Sequence, residues 1–286
     1  MSDPRGTTRP DRARPMSGAS IGSHHFPLPP QAAGEIAALR AITARNPRDA
    51  EAHRRLGRAL RQAGENEEAA GAELAAIRAT AYDPAMIAIA SAMLENDLPT
   101  AEGLLRTRLH ADPLDVAAIR LMAELAARIG RYRDSEALLR RALELAPGFT
   151  AARANLATVL YKQGRFAEAA EVLDEVVRQD GDDPANRNLL AVALGRIGDY
   201  EESLRIYEEL TQTFQTHAKL WMSYGHILKT VGRLEDAVAA YRHALAQEPG
   251  LGEVWWSLAN LKTVRFTEHD VAAMEGALEN AAELSA

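Results

Sequence analysis

No cysteine occurs among the 286 residues. Disulfides, thiolate nucleophiles, zinc–thiolate sites and iron–sulfur clusters are therefore excluded, and the composition suits a reducing compartment, so a cytoplasmic location is expected. Aromatic residues make up only 5% of the chain. Sheets draw on aromatic and β-branched side chains, whereas Ala lets helices approach closely, so this Ala-rich chain reads as helix packed on helix. Long hydrophobic runs are missing too: nothing approaches the roughly 18 apolar residues of a membrane span, and the N-terminus has Asp3, Pro4 and Arg5 where a secretory signal has its apolar stretch. Basic charge is in deficit, 33 Lys and Arg against 40 Asp and Glu, for a net charge of −7. Binding to phosphate backbones requires the opposite balance, so neither nucleic acid nor a membrane is expected as a partner.

Residues 1–30 contain Pro4, Pro10, Pro15, Pro27, Pro29 and Pro30, with Arg5, Arg9, Arg12 and Arg14, and few apolar side chains. Too little surface can be buried there to offset ordering entropy, so a disordered, locally basic tail is expected. Beyond it the chain repeats. Gly130, Gly164, Gly198 and Gly232 stand 34 residues apart, each between two amphipathic stretches, for example NLATVLYKQG and AEAAEVLDEVV. A glycine there ends a helix in the left-handed conformation that other residues resist. Pro47, Pro113, Pro147 and Pro249 follow the second stretches and stop them. Neither helix can bury its apolar face alone, so the units must stack into a solenoid.

The unit at 218–251 carries Trp221, Tyr224, Gly225, Gly232, Ala237, Tyr241, Ala244 and Pro249 at the offsets of the tetratricopeptide repeat, which the chain therefore resembles. Other units keep the phase with fewer signature residues: Leu56, Gly57, Gly64 and Ala69; Leu156, Ala157 and Ala169; Leu190, Ala191 and Tyr207; Trp255, Leu258 and Ala259. The resemblance implies an all-α, right-handed superhelical solenoid of antiparallel helix pairs. A leading capping helix is expected over 31–49, repeats over 50–265 with units near 50, 82, 116, 150, 184, 218 and 252, and a diverged helix over 266–286. Gly64 to Asn96 is only 32 residues, so the unit near 82 is expected to have a short or irregular first helix.

Three strings suggest chemistry and lose it in context. GHILKTVG (225–232) has the look of a phosphate loop, but its glycines fall on repeat positions between helices. PMSGAS (15–20) resembles a nucleotide-binding loop without the buried strand that such a loop follows. The eight histidines show no metal-ligand spacing. Paired acids such as Asp182 with Asp183 and Glu201 with Glu202 fall at helix starts, where they complement the helix dipole. No cofactor, metal or catalytic residue is expected.

In the family that the chain resembles, first helices line a concave ligand-binding face. Positions 2, 5, 9 and 12 of each unit project onto one helical stripe there. The first unit supplies Arg54, Arg58 and Arg61 beside Glu51, and Arg120 extends this basic stripe. Small residues such as Ala117, Ala151 and Ala154 leave a channel in which Tyr161 and Asn188 are the sizeable polar groups. Met222, His226 and Lys229 continue it, Lys219, His226 and Lys229 forming a weaker positive patch, and Trp256 is pushed onto the same face because Trp255 fills the packing position. The expectation is a groove for an acidic or extended protein segment, with guanidinium groups meeting carboxylates. Alternatively the arginines are ordinary helix residues paired to nearby glutamates.

The run LGEVWWSLANLKTVRFTEHDVAAM (251–274) keeps a first helix, drops the glycine, and offers Thr267 as cap to a helix starting at Glu268. It is similar to the junction between repeats and catalytic domain in bacterial tetratricopeptide-repeat sulfotransferases. That resemblance implies a scaffold attached to a domain that moves a sulfuryl group from phosphoadenosine phosphosulfate to a hydroxyl. The chain is therefore expected to be the repeat region of a longer enzyme, with no catalysis of its own; the competing expectation is a stand-alone adaptor.

Overall fold

The computed structural model describes residues 30–180 and 183–283. The expected tail lies outside them except for Pro30, as do Asp182 and the PMSGAS string. Among the described residues there are fifteen helices and no strand. A leading helix α1 (Pro30–Arg45) precedes six antiparallel pairs: α2 (Ala50–Gln62) with α3 (Asn66–Thr80), α4 (Pro84–Leu94) with α5 (Leu98–Ala111), α6 (Val116–Arg128) with α7 (Tyr132–Leu145), α8 (Thr150–Lys162) with α9 (Phe166–Gln179), α10 (Pro184–Ile197) with α11 (Tyr200–Thr213), and α12 (Ala218–Thr230) with α13 (Leu234–Gln247). The shorter α14 (Gly252–Asn260) and α15 (Glu268–Glu283) follow.

Local chemistry sets the boundaries. Asp49, Asp83, Asp115 and Asp183 precede first helices, and each side chain accepts a hydrogen bond from a free amide of the first turn; such caps are worth about 1 kcal/mol each. Gly64, Gly130, Gly164, Gly198 and Gly232 turn the chain between paired helices with φ of 77–91°. Asn96 does the same work between α4 and α5 at φ 58°, a conformation Asn tolerates better than most residues. The helix it ends is two residues shorter than α2 or α6.

Two recurring contacts hold a unit together. One residue of each second helix, Glu73, Leu105, Leu139, Leu173, Tyr207 and Tyr241, is buried against its first helix. The fourth residue of a first helix donates to the carbonyl six residues earlier, at the preceding turn: His53 to Pro47 at 3.1 Å, Arg153 to Pro147 at 2.6 Å, Trp221 to Gln215 at 2.8 Å and Trp255 to Pro249 at 2.9 Å. An imidazole, a guanidinium and two indoles thus make one bond, which explains how the signature Trp is replaced in weaker units without loss of the fold.

Stacking is regular from α5 onward, where each second helix packs on the next first helix. The exception lies between α3 and α4. α3 reaches past the second pair to α6, and its Ile77 packs into the cluster of Val116, Ile119, Leu139 and Ala146. α4 packs on α5, with Met86, Ile89 and Met93 inward, in a cluster shared with α6. This break positions the candidate site.

Candidate functional site

Where α2 and α3 meet the α5–α6 loop and the end of α7 there is a cavity of about 260 Å³. Ala76, Ile77, Leu114, Val116, Leu145 and Ala146 give it an apolar floor, and Glu51, Arg54, Arg58 and Asp112 supply charged lining. The volume falls just below the roughly 300–1,000 Å³ typical of pockets for drug-sized ligands and suits one or two side chains.

The arginines expected to form a free basic stripe have partners. Arg54 pairs with Asp112 at 2.5 Å and with Glu51 at 3.0 Å, and is largely covered. Arg61 turns to Glu73 through two hydrogen bonds of 2.8 Å each, a bidentate pair whose carboxylate is buried. Only Arg58 of the three stays mostly exposed, with a looser 3.5 Å approach to Glu51. Glu73 occupies the slot that Leu or Tyr fills in other units, so its charge must be matched inside the fold, and Arg61 does that. The expected basic stripe is met by carboxylates: Glu51, Glu73, Asp112 and Asp115 line the cavity with Arg54 and Arg58, and Arg61 and Arg108, behind the lining, pair with Glu73 and Asp115.

Deeper in the same wall, Arg108 at the end of α5 bonds Asp115 at 2.8 Å and also the Asp83 carboxylate, tying the caps of α6 and α4 together. Burial raises the Asp83 pKa, but the Arg108 bond and the Ala85 amide outweigh it and hold the group below its ordinary value.

The remaining expected groove residues do not line this cavity. Arg120 pairs with Glu124 at 3.3 Å. Tyr161 is half-buried with its ring 5.1 Å from Phe166, and Asn188 accepts a hydrogen bond from the Tyr207 hydroxyl at 3.1 Å. Met222 packs against the α12–α14 cluster, and Lys229 is half-exposed. His226 is also half-buried, with Nδ1 2.7 Å from the Tyr241 hydroxyl and Nε2 3.3 Å from Glu253. Burial lowers its pKa and outweighs Glu253, so the charge of the patch expected there rests on Lys229 and the exposed Lys219. Trp256 is 66% exposed, while Trp255 packs on Phe266 with ring centroids 6.1 Å apart.

At the C-terminal end Thr267 caps α15 reciprocally: its Oγ1 accepts from the Asp270 amide at 3.2 Å, and its own amide donates to the Asp270 carboxylate at 2.8 Å. Asp270 is buried and bonded twice by Arg242 of α13. Arg242, followed by the Thr267 amide, lowers its pKa to about 2. Among the described residues no cluster of His, Asp and Glu has the form of a metal site, and no helix is long and apolar enough to cross a membrane.

Stacked helical hairpins with left-handed glycine turns define a helical-repeat fold. Three tetratricopeptide-repeat family models match the chain, over residues 36–84, 129–193 and 218–261, together more than half of it. The chain belongs to the tetratricopeptide-repeat family, a class of protein-binding scaffolds. Among solved structures, the MamA fragment 41-end from Desulfovibrio magneticus RS-1 is 17% identical, covers 59% of this chain and 98% of that one, and superposes with a TM-score of 0.54. MamA AMB-1 is 21% identical, covers 56% and 95%, and gives 0.51. These likenesses concern the fold. No curated protein matches the sequence.

Proposed function

We propose that this protein is a non-catalytic scaffold that binds an extended segment of a protein partner, anchored by a bulky apolar side chain in the cavity between α2, α3 and α6. The observation that carries the reading is the cavity itself: an apolar floor beneath a rim of balanced charge. Such a site rewards an uncharged side chain, while rim groups that already have partners, such as Arg54 with Asp112, favour no strongly charged ligand. Arg58, the loosest of these groups, is the one free to meet a carboxylate or backbone carbonyl of the ligand. The sites along the rest of the stripe, Arg120, Tyr161, Asn188, Met222, His226, Lys229 and Trp256, would contact the segment beyond its anchor. A cysteine-free chain suits action in the cytoplasm.

Selection of random peptides displayed on phage tests this directly. Peptides enriched on the wild-type protein should share one Leu, Met, Phe or Trp position and should not enrich on Ala117→Phe, which fills the cavity from its partly exposed α6 wall. Enrichment of peptides without such a position, or equal enrichment on the filled variant, would overturn the reading.

A second reading makes the chain the repeat region of a sulfotransferase. It is favoured by the exposed Trp256 and by α15, which is anchored through its first turn by Asp270 and Arg242. An intact mass of the protein from its native cells well above 31.1 kDa supports it, and a mass of that size counts against it.

A further inference from the structure

α4 has the sequence PAMIAIASAML, without one charged residue. A helix apolar on all sides is ordinarily covered on all sides. Here α5 and α6 cover one side only. The seventh and eleventh residues of first helices are buried in α2 (Leu56 and Leu60) and α8 (Leu156 and Leu160), whereas their counterparts in α4, Ala90 and Leu94, are exposed. Leu94 is 86% exposed, and Ile87 and Tyr82 are 55% and 64% exposed. This is the face on which the preceding second helix rests elsewhere, and α3 has left it for α6.

The ends of the stripe carry opposite charge. Glu95 and Asp97 are exposed just past its C-terminal end, where the helix dipole is also negative. At its N-terminal end Arg48 lies over the Tyr82 ring, 4.5 Å from the centroid. Ala90 and Ser91 in the middle are small enough for close approach of another helix. A second α4 running antiparallel meets all of these demands: Leu94 of each copy falls against Ile87 of the other, Ala90 and Ser91 face each other at the axis, and Glu95 comes beside the other copy's Arg48. The stripe is therefore self-complementary about a twofold axis, as an isologous contact must be. The acidic α15 is a poorer occupant, since the Glu268 and Asp270 of its first turn would face Glu95 and Asp97.

We infer that the protein forms a twofold dimer through antiparallel pairing of α4 with α4 of a second copy. A helix pair this short buries less than the roughly 1,200 Å² of a standard-size interface, so the association is weak and depends on concentration.

Sedimentation equilibrium of the full chain, from low micromolar to several hundred micromolar, should show a rise from 31.1 kDa towards twice that mass. Leu94→Glu, at a side chain that packs on nothing in its own chain, should remain monomeric throughout with an unchanged helical spectrum. Glu95→Arg and Arg48→Glu should each weaken the dimer severalfold, and the double charge swap should restore it. A wild-type monomer at every concentration, or a dimer indifferent to Leu94→Glu, overturns the proposal. Failure of the swap to restore association overturns the antiparallel arrangement. None of these residues lines the peptide cavity, so the dimer and the binding function stand or fall separately.

Discussion

At Gly225 a single hydrogen decides the fit. A Cβ added there would lie 2.5 Å from the Tyr241 ring, and the ring is fully buried and has no room to move. Gly225→Ala should therefore destabilise the protein by about 1–3 kcal/mol, the usual cost of overpacking, seen as a lower thermal midpoint. At Gly57 the nearest obstacle is Glu73 Cγ at 3.0 Å, a less severe overlap, so Gly57→Ala should cost less. The charged residues also report on pH. Burial raises the pKa of Glu136, but hydrogen bonds from Gln163, Arg140 and Arg165 together outweigh it and bring the group to about 2 from its ordinary 4.5. A carboxylate whose pKa falls on folding stabilises the fold above its unfolded pKa, and that contribution disappears as pH falls through the folded value. Thermal midpoints measured between pH 5 and pH 2 should drop less steeply in Glu136→Gln than in wild type; parallel curves would show that Glu136 is not the group responsible.

At the scale of the helix, much was legible in the sequence. The glycine period located the turns after α6, α8, α10 and α12, the signature residues around Gly64 the turn after α2, and Thr267 the start of α15, because caps and left-handed turns depend on residues close in the chain. Partner choice is a different matter. Arg61 meets Glu73 twelve residues on, and Arg54 meets Asp112 from another pair, partners that helical spacing alone does not reveal. One signal was available: Glu73 stands where neighbouring units put Leu or Tyr, and a carboxylate at a core position calls for a cation nearby. The departure of α3 from α4 left no such mark, since it depends on how two hairpins fit rather than on either one. For α15, the anchor is the buried Asp270 held by Arg242. Arg242→Ala removes that cation, and amide hydrogen exchange over 268–283 should accelerate while exchange in α8 to α11 stays as it was.

For the whole molecule, stacking is what creates the exposed surfaces and the cavity. Each hairpin is stabilised by its neighbours, and the break between α3 and α4 borders both a cavity and a bare helix face. The α4 face predicts the weak dimer, and the cavity predicts the peptide anchor. The most direct test of the binding account is fluorescence anisotropy with a peptide selected on the wild-type protein, titrated with wild type, Ala117→Phe and Arg58→Glu. The account predicts at least a tenfold loss of affinity on filling the cavity, equal to about 1.4 kcal/mol, and a smaller loss at Arg58. Affinity unchanged in Ala117→Phe would contradict it.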